Sequence, residues 1–170
     1  RVAADKEAAR VAAEQAAAAA AAQQAAAAAA AAAEAERLAR AWVVPTSGYR
    51  LTARFGAAGR HWANRHSGLD FAAAAGTPVV AVHTGDVVSA GWAGAYGNRI
   101  VVRHAGGIET WYCHLSAFAA SAGQQVGTGR QIGRVGSTGN TTGPHLHLEV
   151  RRGGSPVDPA AFLADHGAAP

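Results

Sequence analysis

Beyond Pro45 the chain alternates between short β-branched runs and turns that contain glycine. The runs cover residues 77–82, 86–89, 99–103, 109–115, 131–135 and 145–150. No long helical pattern separates them, so the spacing predicts an antiparallel sheet rather than a parallel one. We therefore expect a mainly β domain.

The run at residues 145–150 has the clearest alternation of polar and apolar positions. In a strand, the apolar residues face the core and the polar residues share the opposite face. The polar set is His145, His147 and Glu149, and the apolar set is Leu146, Leu148 and Val150. Two interpretations follow from this pattern alone: a metal site, or the exposed polar face of an edge strand.

The run around Cys113 carries a third histidine. Alternation places Tyr112 and His114 on one face, and Trp111, Cys113 and Leu115 on the other. Because the side chains of Cys113 and His114 then point apart, we expect Cys113 to be a buried thiol that packs as a small apolar residue, not a nucleophile.

Residues 1–40 follow a different pattern, with 24 alanines and no glycine, proline or aromatic residue. High helix propensity predicts one helix of about 60 Å that ends near Trp42 to Val44, before Pro45. We therefore divide the chain into a helical segment, 1–44, and a domain, 45–170. The Gln pair at 23–24 argues against a stable membrane span, and branched apolar residues are too few for a Leu/Ile heptad seam. A free spacer and a close-packed, coiled-coil-like helical pair both remain open.

The net charge and the cysteine content limit the kinds of partner and metal site that the chain can have. Charges within residues 1–40 cancel, so the net charge of +4 belongs to residues 41–170. A basic domain favours an anionic partner such as a cell-wall polymer, whereas the scattered arginines argue against nucleic acid. The single cysteine excludes an internal disulfide and a cysteine-only zinc site. The chain has no Met and starts with Arg, so we expect it to be processed or trimmed, and a missing signal peptide is uninformative about export.

A second candidate cluster is His66 and Asp70. On a straight strand their Cα atoms would lie about 13 Å apart, too far to bind one ion at about 2 Å. The chain must therefore bend near Gly68 if both are ligands. His61 is a weaker candidate, nine residues before Asp70.

The other features are secondary. His83, His104 and His166 have no ligand spacing and are expected to be surface histidines. The glycine-rich loop 136–144 lacks the lysine of a phosphate loop, and we expect it to shape the mouth of a cleft above His145.

Taken in order, these motifs resemble the lysostaphin-type zinc metalloendopeptidase family over residues 46–163. The motifs are Arg54-Phe55-Gly56, His66-x-Gly68-x-Asp70-Phe71, Gly76-Thr77-Pro78-Val79, Tyr96-Gly97-Asn98, His114-Leu115-Ser116, Gly136-Ser137-Thr138-Gly139, Gly143-Pro144-His145-Leu146-His147-x-Glu149 and Pro156-Val157-Asp158-Pro159. The resemblance does not extend to the alanine-rich helix.

The resemblance implies a secreted or cell-envelope peptidoglycan hydrolase with one Zn²⁺ per chain. It places the zinc ligands at His66, Asp70 and His147, and two non-ligand catalytic histidines at His114 and His145. Two imidazoles and one carboxylate would leave a fourth zinc position open, as in catalytic sites.

Two further expectations concern the general base and Glu149. The chain contains no His-Glu-x-x-His motif, which excludes a thermolysin-like glutamate base. Glu149 is expected to orient a ligand or to pair with an arginine.

The alternative function is a catalytically silent wall-binding or regulatory module that keeps the zinc for stability. A further hypothesis is that the helix folds back over the cleft and inhibits it.

Overall fold

The protein is described by a computed structural model that covers residues 1–58 and 65–170. It divides into two compact units, Arg1–Arg37 and Leu38–Pro170. The helices are α1 (Val2–Arg40) and α2 (Pro159–Asp165). The strands are β1 (Arg50–Ala53), β2 (Leu69–Ala72), β3 (Pro78–Val80), β4 (Gly85–Trp92), β5 (Asn98–Arg103), β6 (Ile108–Leu115), β7 (Ala117–Phe118), β8 (Gln125–Val126), β9 (Gln131–Arg134), β10 (Leu146–Arg152) and β11 (Ser155–Val157).

The helix α1 runs unbroken for 39 residues, as its alanine content predicts. Arg10 forms ion pairs with Glu7 and Glu14, one turn away on either side. None of the residues of α1 is buried. By length and composition α1 is apolar enough to cross a membrane, a criterion that a signal sequence near an N-terminus also meets.

The helix α1 ends at Arg40, slightly before the predicted end. From Ala41 onward, the backbone bonds to other parts of the Leu38–Pro170 unit. The carbonyl of Ala41 accepts hydrogen bonds from His83 Nδ1 (2.7 Å) and Thr128 Oγ1 (3.3 Å). The N–H of Val43 donates to the carbonyl of Val82 at 2.8 Å. These bonds replace helical hydrogen bonds before Pro45 is reached.

The domain contains two antiparallel sheets, which confirms the predicted class. The larger sheet has the order β1-β2-β10-β6-β5-β4-β8, and β11 also pairs with β10. The smaller sheet has the order β3-β9-β7. Every strand pair in both sheets is antiparallel. No crossover helix is therefore required between consecutive strands.

The hydrophobic core joins residues of both sheets. Phe71, Tyr112 and Leu148 of the larger sheet belong to the same buried cluster as Val79 and Ile132 of the smaller one. Each of these side chains is fully buried. Burial on this scale contributes about 1.5–3 kcal/mol for each large apolar side chain, so the core fixes the strands that carry the polar residues.

The strand β10 has the predicted alternation, but the edge-strand interpretation is wrong. It lies between β2 and β6, with Asp70 and Cys113 as the register partners of His147 on either side. Leu146 and Leu148 enter the core. His147 and Glu149 are buried as well, at 5% and 0% exposure, so the polar face of β10 is covered rather than solvated.

The strand β6 departs from strict alternation near its end. Two residues of β6, Cys113 and His114, lie opposite one residue of β5, because Asn98 pairs with Leu115 and Ile100 pairs with Tyr112. This is the pattern of a β-bulge. The prediction that Leu115 and Tyr112 lie on different faces of the strand is therefore wrong, because both side chains lie in the core.

Candidate metal centre and active site

Three side chains converge at the junction of β2 and β10. Asp70 and His147 are register partners on the paired strands, and their Oδ1 and Nδ1 atoms lie 2.8 Å apart. His66 precedes β2, and its Nε2 lies 3.1 Å from Asp70 Oδ1 and 3.0 Å from His147 Nδ1. All three residues are buried. His61 lies outside the described residues.

The approach of His66 to this point depends on Gly68. A Cβ atom at residue 68 would overlap the backbone carbonyl oxygen of Leu148, and it would lie 2.7 Å from Cε1 of His147. Only glycine lets the segment before β2 pass this close to β10. The bend predicted between His66 and Asp70 is thus present.

Hydrogen bonds on the far side of each ring orient the two histidines. His66 Nδ1 donates to the backbone carbonyl of Arg54 at 3.0 Å. His147 Nε2 donates to Glu149 Oε1 at 3.3 Å. Because both partners are acceptors only, the neutral rings direct their lone pairs, at His66 Nε2 and His147 Nδ1, toward Asp70.

The donor set fits a zinc ion. Two imidazole nitrogens and a carboxylate oxygen are ordinary zinc ligands. Their separations of 2.8, 3.0 and 3.1 Å approach the edge, about 3.3 Å, of a tetrahedron with bonds of about 2.05 Å. Within the described part of the chain, this trio is the group of His, Cys, Asp and Glu side chains placed to hold a metal.

A proton competes for the same position in the metal-free protein. Burial of His147 favours its neutral form, but hydrogen bonds to Asp70 and Glu149 outweigh burial and raise the His147 pKa to about 9. Burial likewise opposes ionisation of Asp70, yet hydrogen bonds to His147 and His66 hold its pKa well below the usual value. A cation bound at Nδ1 of His147 must therefore displace a proton at neutral pH.

His114 and His145 lie beside the trio, with ring centroids 4.7 Å apart. His114 Nδ1 donates to the carbonyl of Thr138 (2.8 Å), and His145 Nδ1 donates to the carbonyl of Gly143 (2.9 Å). Each ring thus keeps Nε2 for the cleft. The Nε2 of His145 lies 3.9 Å from Asp70 Oδ2.

The conformation of His114 is unusual. Among the residues that the structure describes, it is the non-glycine residue with a positive φ, at 64°, and such strain often marks functional residues. The β-bulge at the end of β6 re-aims the side chain. Burial, reinforced by the neighbouring His145 and His147, lowers the His114 pKa to about 4 despite the hydrogen bond to Thr138. The ring is therefore neutral at pH 7.

A cleft of about 770 Å³ connects these side chains to solvent. Its floor includes Asp70, His114, His145 and His147, and its walls include Tyr96 and the loop residues 140–142. The loop 136–144 therefore borders the cleft, as its composition suggested. The loop and the segment before β5 pack so closely that a Cβ at Gly139 would meet the backbone of Ala95 and Gly97.

Three residues that surround Glu149 have no predicted role from the sequence. Ser67 and Tyr96 donate to its carboxylate, and Arg151 forms an ion pair with it. Tyr96 and Ser67 stood inside recognised motifs, but neither motif indicates a hydrogen bond to a residue more than fifty positions away. Both predicted contacts of Glu149, with a histidine and with an arginine, are present together.

The remaining histidines form a separate cluster around Trp42. The ring of His83 stacks on Trp42 at 4.4 Å, and His166 lies 5.0 Å from it. The prediction that His104 is a surface histidine is wrong, since only 5% of it is exposed. Hydrogen bonds to Thr84 and Thr110 satisfy its ring, and burial lowers its pKa to about 4.

Cys113 is buried and free, as predicted. Burial, with the charge of Glu149 nearby, raises the thiol pKa well above its usual value. A protonated, enclosed thiol is a poor nucleophile.

Comparison with known proteins identifies the class of this domain. Residues 64–159 match Peptidase family M23. Because the match includes more than half of the chain, the protein belongs to this family, and the resemblance drawn from its motifs is confirmed.

Individual relatives differ in the bonds their names imply. The chain is 52% identical over 96 residues to the DD-carboxypeptidase/endopeptidase Mpg of Neisseria meningitidis, covering 56% of this chain and 22% of that protein. It is 41% identical over 108 residues to the glycyl-glycine endopeptidase ALE-1 of Staphylococcus capitis, covering 60% and 30%. The chain thus spans under a third of the length of either relative.

A solved structure shares the fold. The catalytic domain of the antimicrobial peptidase lysostaphin from Staphylococcus simulans superposes with a TM-score of 0.65 and 35% sequence identity. The superposition covers 68% of this chain and 92% of the lysostaphin domain. The β-rich part of the chain is therefore comparable in extent to a complete catalytic domain.

Proposed function

We propose that the protein is a zinc-dependent endopeptidase that hydrolyses peptide bonds in the stems or cross-bridges of bacterial peptidoglycan. One observation carries the proposal: the buried trio of His66, Asp70 and His147 opens into a cleft that also contains His114 and His145. This arrangement provides a metal position and two acid–base groups within one enclosed space.

In this proposal His66 Nε2, Asp70 Oδ1 and His147 Nδ1 hold one Zn²⁺ per chain. When bound, zinc lowers the pKa of water toward 7 and polarises a peptide carbonyl. Asp70 supplies the negative charge of the ligand set, and the hydrogen bonds to Arg54 and Glu149 keep both ligand rings in place.

His114 and His145 supply the proton transfers. Their Nδ1 atoms are held by the carbonyls of Thr138 and Gly143. The Nε2 atoms are therefore the ones that accept and donate protons. A neutral ring accepts the proton of the attacking water, and a protonated ring donates to the developing oxyanion or to the leaving amine. The pair together meets both needs.

The substrate assignment rests on the relatives and on charge. Endopeptidase activity appears in the names of both Mpg and ALE-1, and the net charge of +4 belongs to the domain rather than to the helix. A positive domain favours contact with an anionic cell-wall polymer. A secreted or cell-envelope location follows from that substrate.

Digestion of purified sacculi tests the proposal. Zinc-loaded protein should release new free amines, a chelator should stop the release, and added Zn²⁺ should restore it. His114→Ala and His145→Ala should each lower the rate by about 10²–10⁴-fold, whereas His166→Ala, outside the cleft, should not. Amine release that persists after chelation would contradict the metal-dependent mechanism.

The rival is a catalytically silent wall-binding or regulatory module that keeps zinc for stability. It predicts that zinc-replete protein binds sacculi and releases no amines. Mass spectrometry of the soluble fraction separates the two functions, and it also identifies the bond that is cut.

We also propose that residues 1–44 and 45–170 are separate segments, with the helix acting as a spacer or as a close-packed helical pair. A chain that lacks residues 1–40 but keeps residues 41–44, which bond to and pack against the domain, should then fold and bind zinc. Higher turnover after the deletion would instead support a helix that covers the cleft.

A further inference from the structure

Glu149 lies directly behind the candidate metal centre. It follows His147 by two positions on β10, and therefore projects from the same face of the sheet. The side chain has no solvent exposure. A buried carboxylate is costly unless it is fully hydrogen-bonded and paired, so its partners indicate what it is for.

Both oxygens of the carboxylate have partners. Oε1 accepts hydrogen bonds from Ser67 Oγ (2.6 Å), Tyr96 Oη (2.9 Å) and His147 Nε2 (3.3 Å). Oε2 accepts from the guanidinium of Arg151. The four donors come from the segment before β2, the segment before β5 and β10 itself, so they hold the carboxylate from three directions.

Arg151 is itself fixed in position. Its Nε donates to the carbonyl of Gly154 at 3.1 Å, and its guanidinium lies 4.2 Å from the centre of the Trp111 ring. Arg151 therefore supplies a positive charge to Glu149 from a defined direction, which leaves Oε1 to Ser67, Tyr96 and His147.

This arrangement determines which nitrogen of His147 carries hydrogen. An ionised carboxylate only accepts hydrogen bonds, so the nitrogen facing Glu149, Nε2, must be the N–H. The lone pair of the neutral ring then lies on Nδ1, the atom that faces Asp70 and His66. The other tautomer would set two acceptors against each other at Nε2.

We propose that Glu149 is the positioning residue of the metal centre: held by Ser67, Tyr96 and Arg151, its carboxylate fixes the Nε2–H tautomer and the ring orientation of His147, so that Nδ1 binds the zinc ion. The inference rests on the proposed ligand set. It adds that four residues outside this set, Glu149 and the three residues that hold it, control its affinity for zinc.

The test measures zinc binding rather than turnover. The Zn²⁺ dissociation constant of the purified protein is determined by competition with a chromophoric chelator. Glu149→Gln keeps the size of the side chain but cannot accept from both His147 and Arg151, and the dissociation constant should rise about 10–100-fold. Tyr96→Phe, which loses one hydrogen bond to Oε1, should give a smaller rise.

Glu109→Gln is the matched control. Glu109 lies on β6 as the register partner of Arg151 and pairs with Arg103 at the surface. The same change of charge at this position should leave zinc affinity unaltered. A similar loss in both variants would mean that net charge, not the position of Glu149, controls binding, and would overturn the inference.

A second measurement needs no variant. Long-range ¹H–¹⁵N NMR of zinc-loaded wild-type protein reports which nitrogen of His147 is protonated. We expect Nε2–H with Nδ1 bound to zinc, and the reverse pattern would overturn the inference. Equal affinity of folded Glu149→Gln and wild type would also overturn it while sparing the proposed function. A wild type that binds no zinc would overturn both.

Discussion

Gly68 is the narrowest point between the His66 segment and β10, so replacing it with alanine tests the geometry of the site directly. The new Cβ would overlap the carbonyl oxygen of Leu148 and lie 2.7 Å from Cε1 and 2.9 Å from Nε2 of His147. A backbone carbonyl in a central strand cannot rotate away, so the chain itself has to move.

The size of the effect follows from those distances. Ordinary contact with a Cβ begins at 3.4 Å, so the ring of His147 would have to shift by about 0.7 Å, which exceeds the tolerance of about 0.5 Å for a functional site. Overpacking of this kind costs about 1–3 kcal/mol of stability. We expect Gly68→Ala to lose stability in this range and zinc affinity by about tenfold or more.

Two assays measure the outcome: urea unfolding of the metal-free protein, and zinc competition at a pH where both proteins are folded. Gly91→Ala is the control, because Gly91 also lies in a strand but a Cβ atom added there would have no other heavy atom within 4 Å. If Gly68→Ala matched the wild type in both assays, the close approach of the two segments would not be what positions the ligands.

Two other outcomes can be checked on the same protein. The His147 pKa is raised from 6.5 to about 9, so its contribution to stability is complete below pH 6.5 and is lost as the pH rises through 9. Metal-free protein should therefore lose on the order of 3 kcal/mol over that interval, whereas zinc-loaded protein should not; equal thermal melts in chelator at pH 6.5 and 9 would contradict this. Tyr112→Phe removes the acceptor for the N–H of Val82 (2.9 Å) and should cost about 1–3 kcal/mol with no change in zinc affinity, measured by urea unfolding; a loss below about 0.5 kcal/mol would argue against the hydrogen bond.

The β-branched runs in the sequence predicted the strands that each contain such a run. The six β-branched runs correspond to β3, β4, β5, β6, β9 and β10. The five missed strands are short or interrupted: β2 contains Asp70 between two apolar residues, β1 has four residues, β11 has three, and β7 and β8 have two each. Their pairing is set by neighbouring strands, and no periodicity of two can be read from two residues.

The candidate site likewise has features that the sequence predicts and features that it does not. Alternation on β10 indicated that His147 and Glu149 share a face, and the resemblance to a known family supplied residue types in order. The bulge that turns His114 arises from the register of β5 against β6, and the contact of Tyr96 with Glu149 spans 53 positions. Such contacts depend on tertiary packing, which a single sequence does not display.

The burial of His104 likewise could not be predicted from the sequence. Its spacing from other histidines indicated no ligand role, but spacing carries no information on exposure. Thr84 and Thr110 approach its ring from other segments, and their hydrogen bonds offset the cost of burying an imidazole.

The cleft has a fixed floor and a replaceable rim. Asp70 and His147 lie on paired interior strands whose other faces form the core, so these positions tolerate little change. Thr52 and Ala53 of the outer strand β1, and residues 140–142 of a loop, line the same cleft without belonging to that core. Substitutions along this rim can therefore reshape the cleft without disturbing the strands that hold Asp70 and His147.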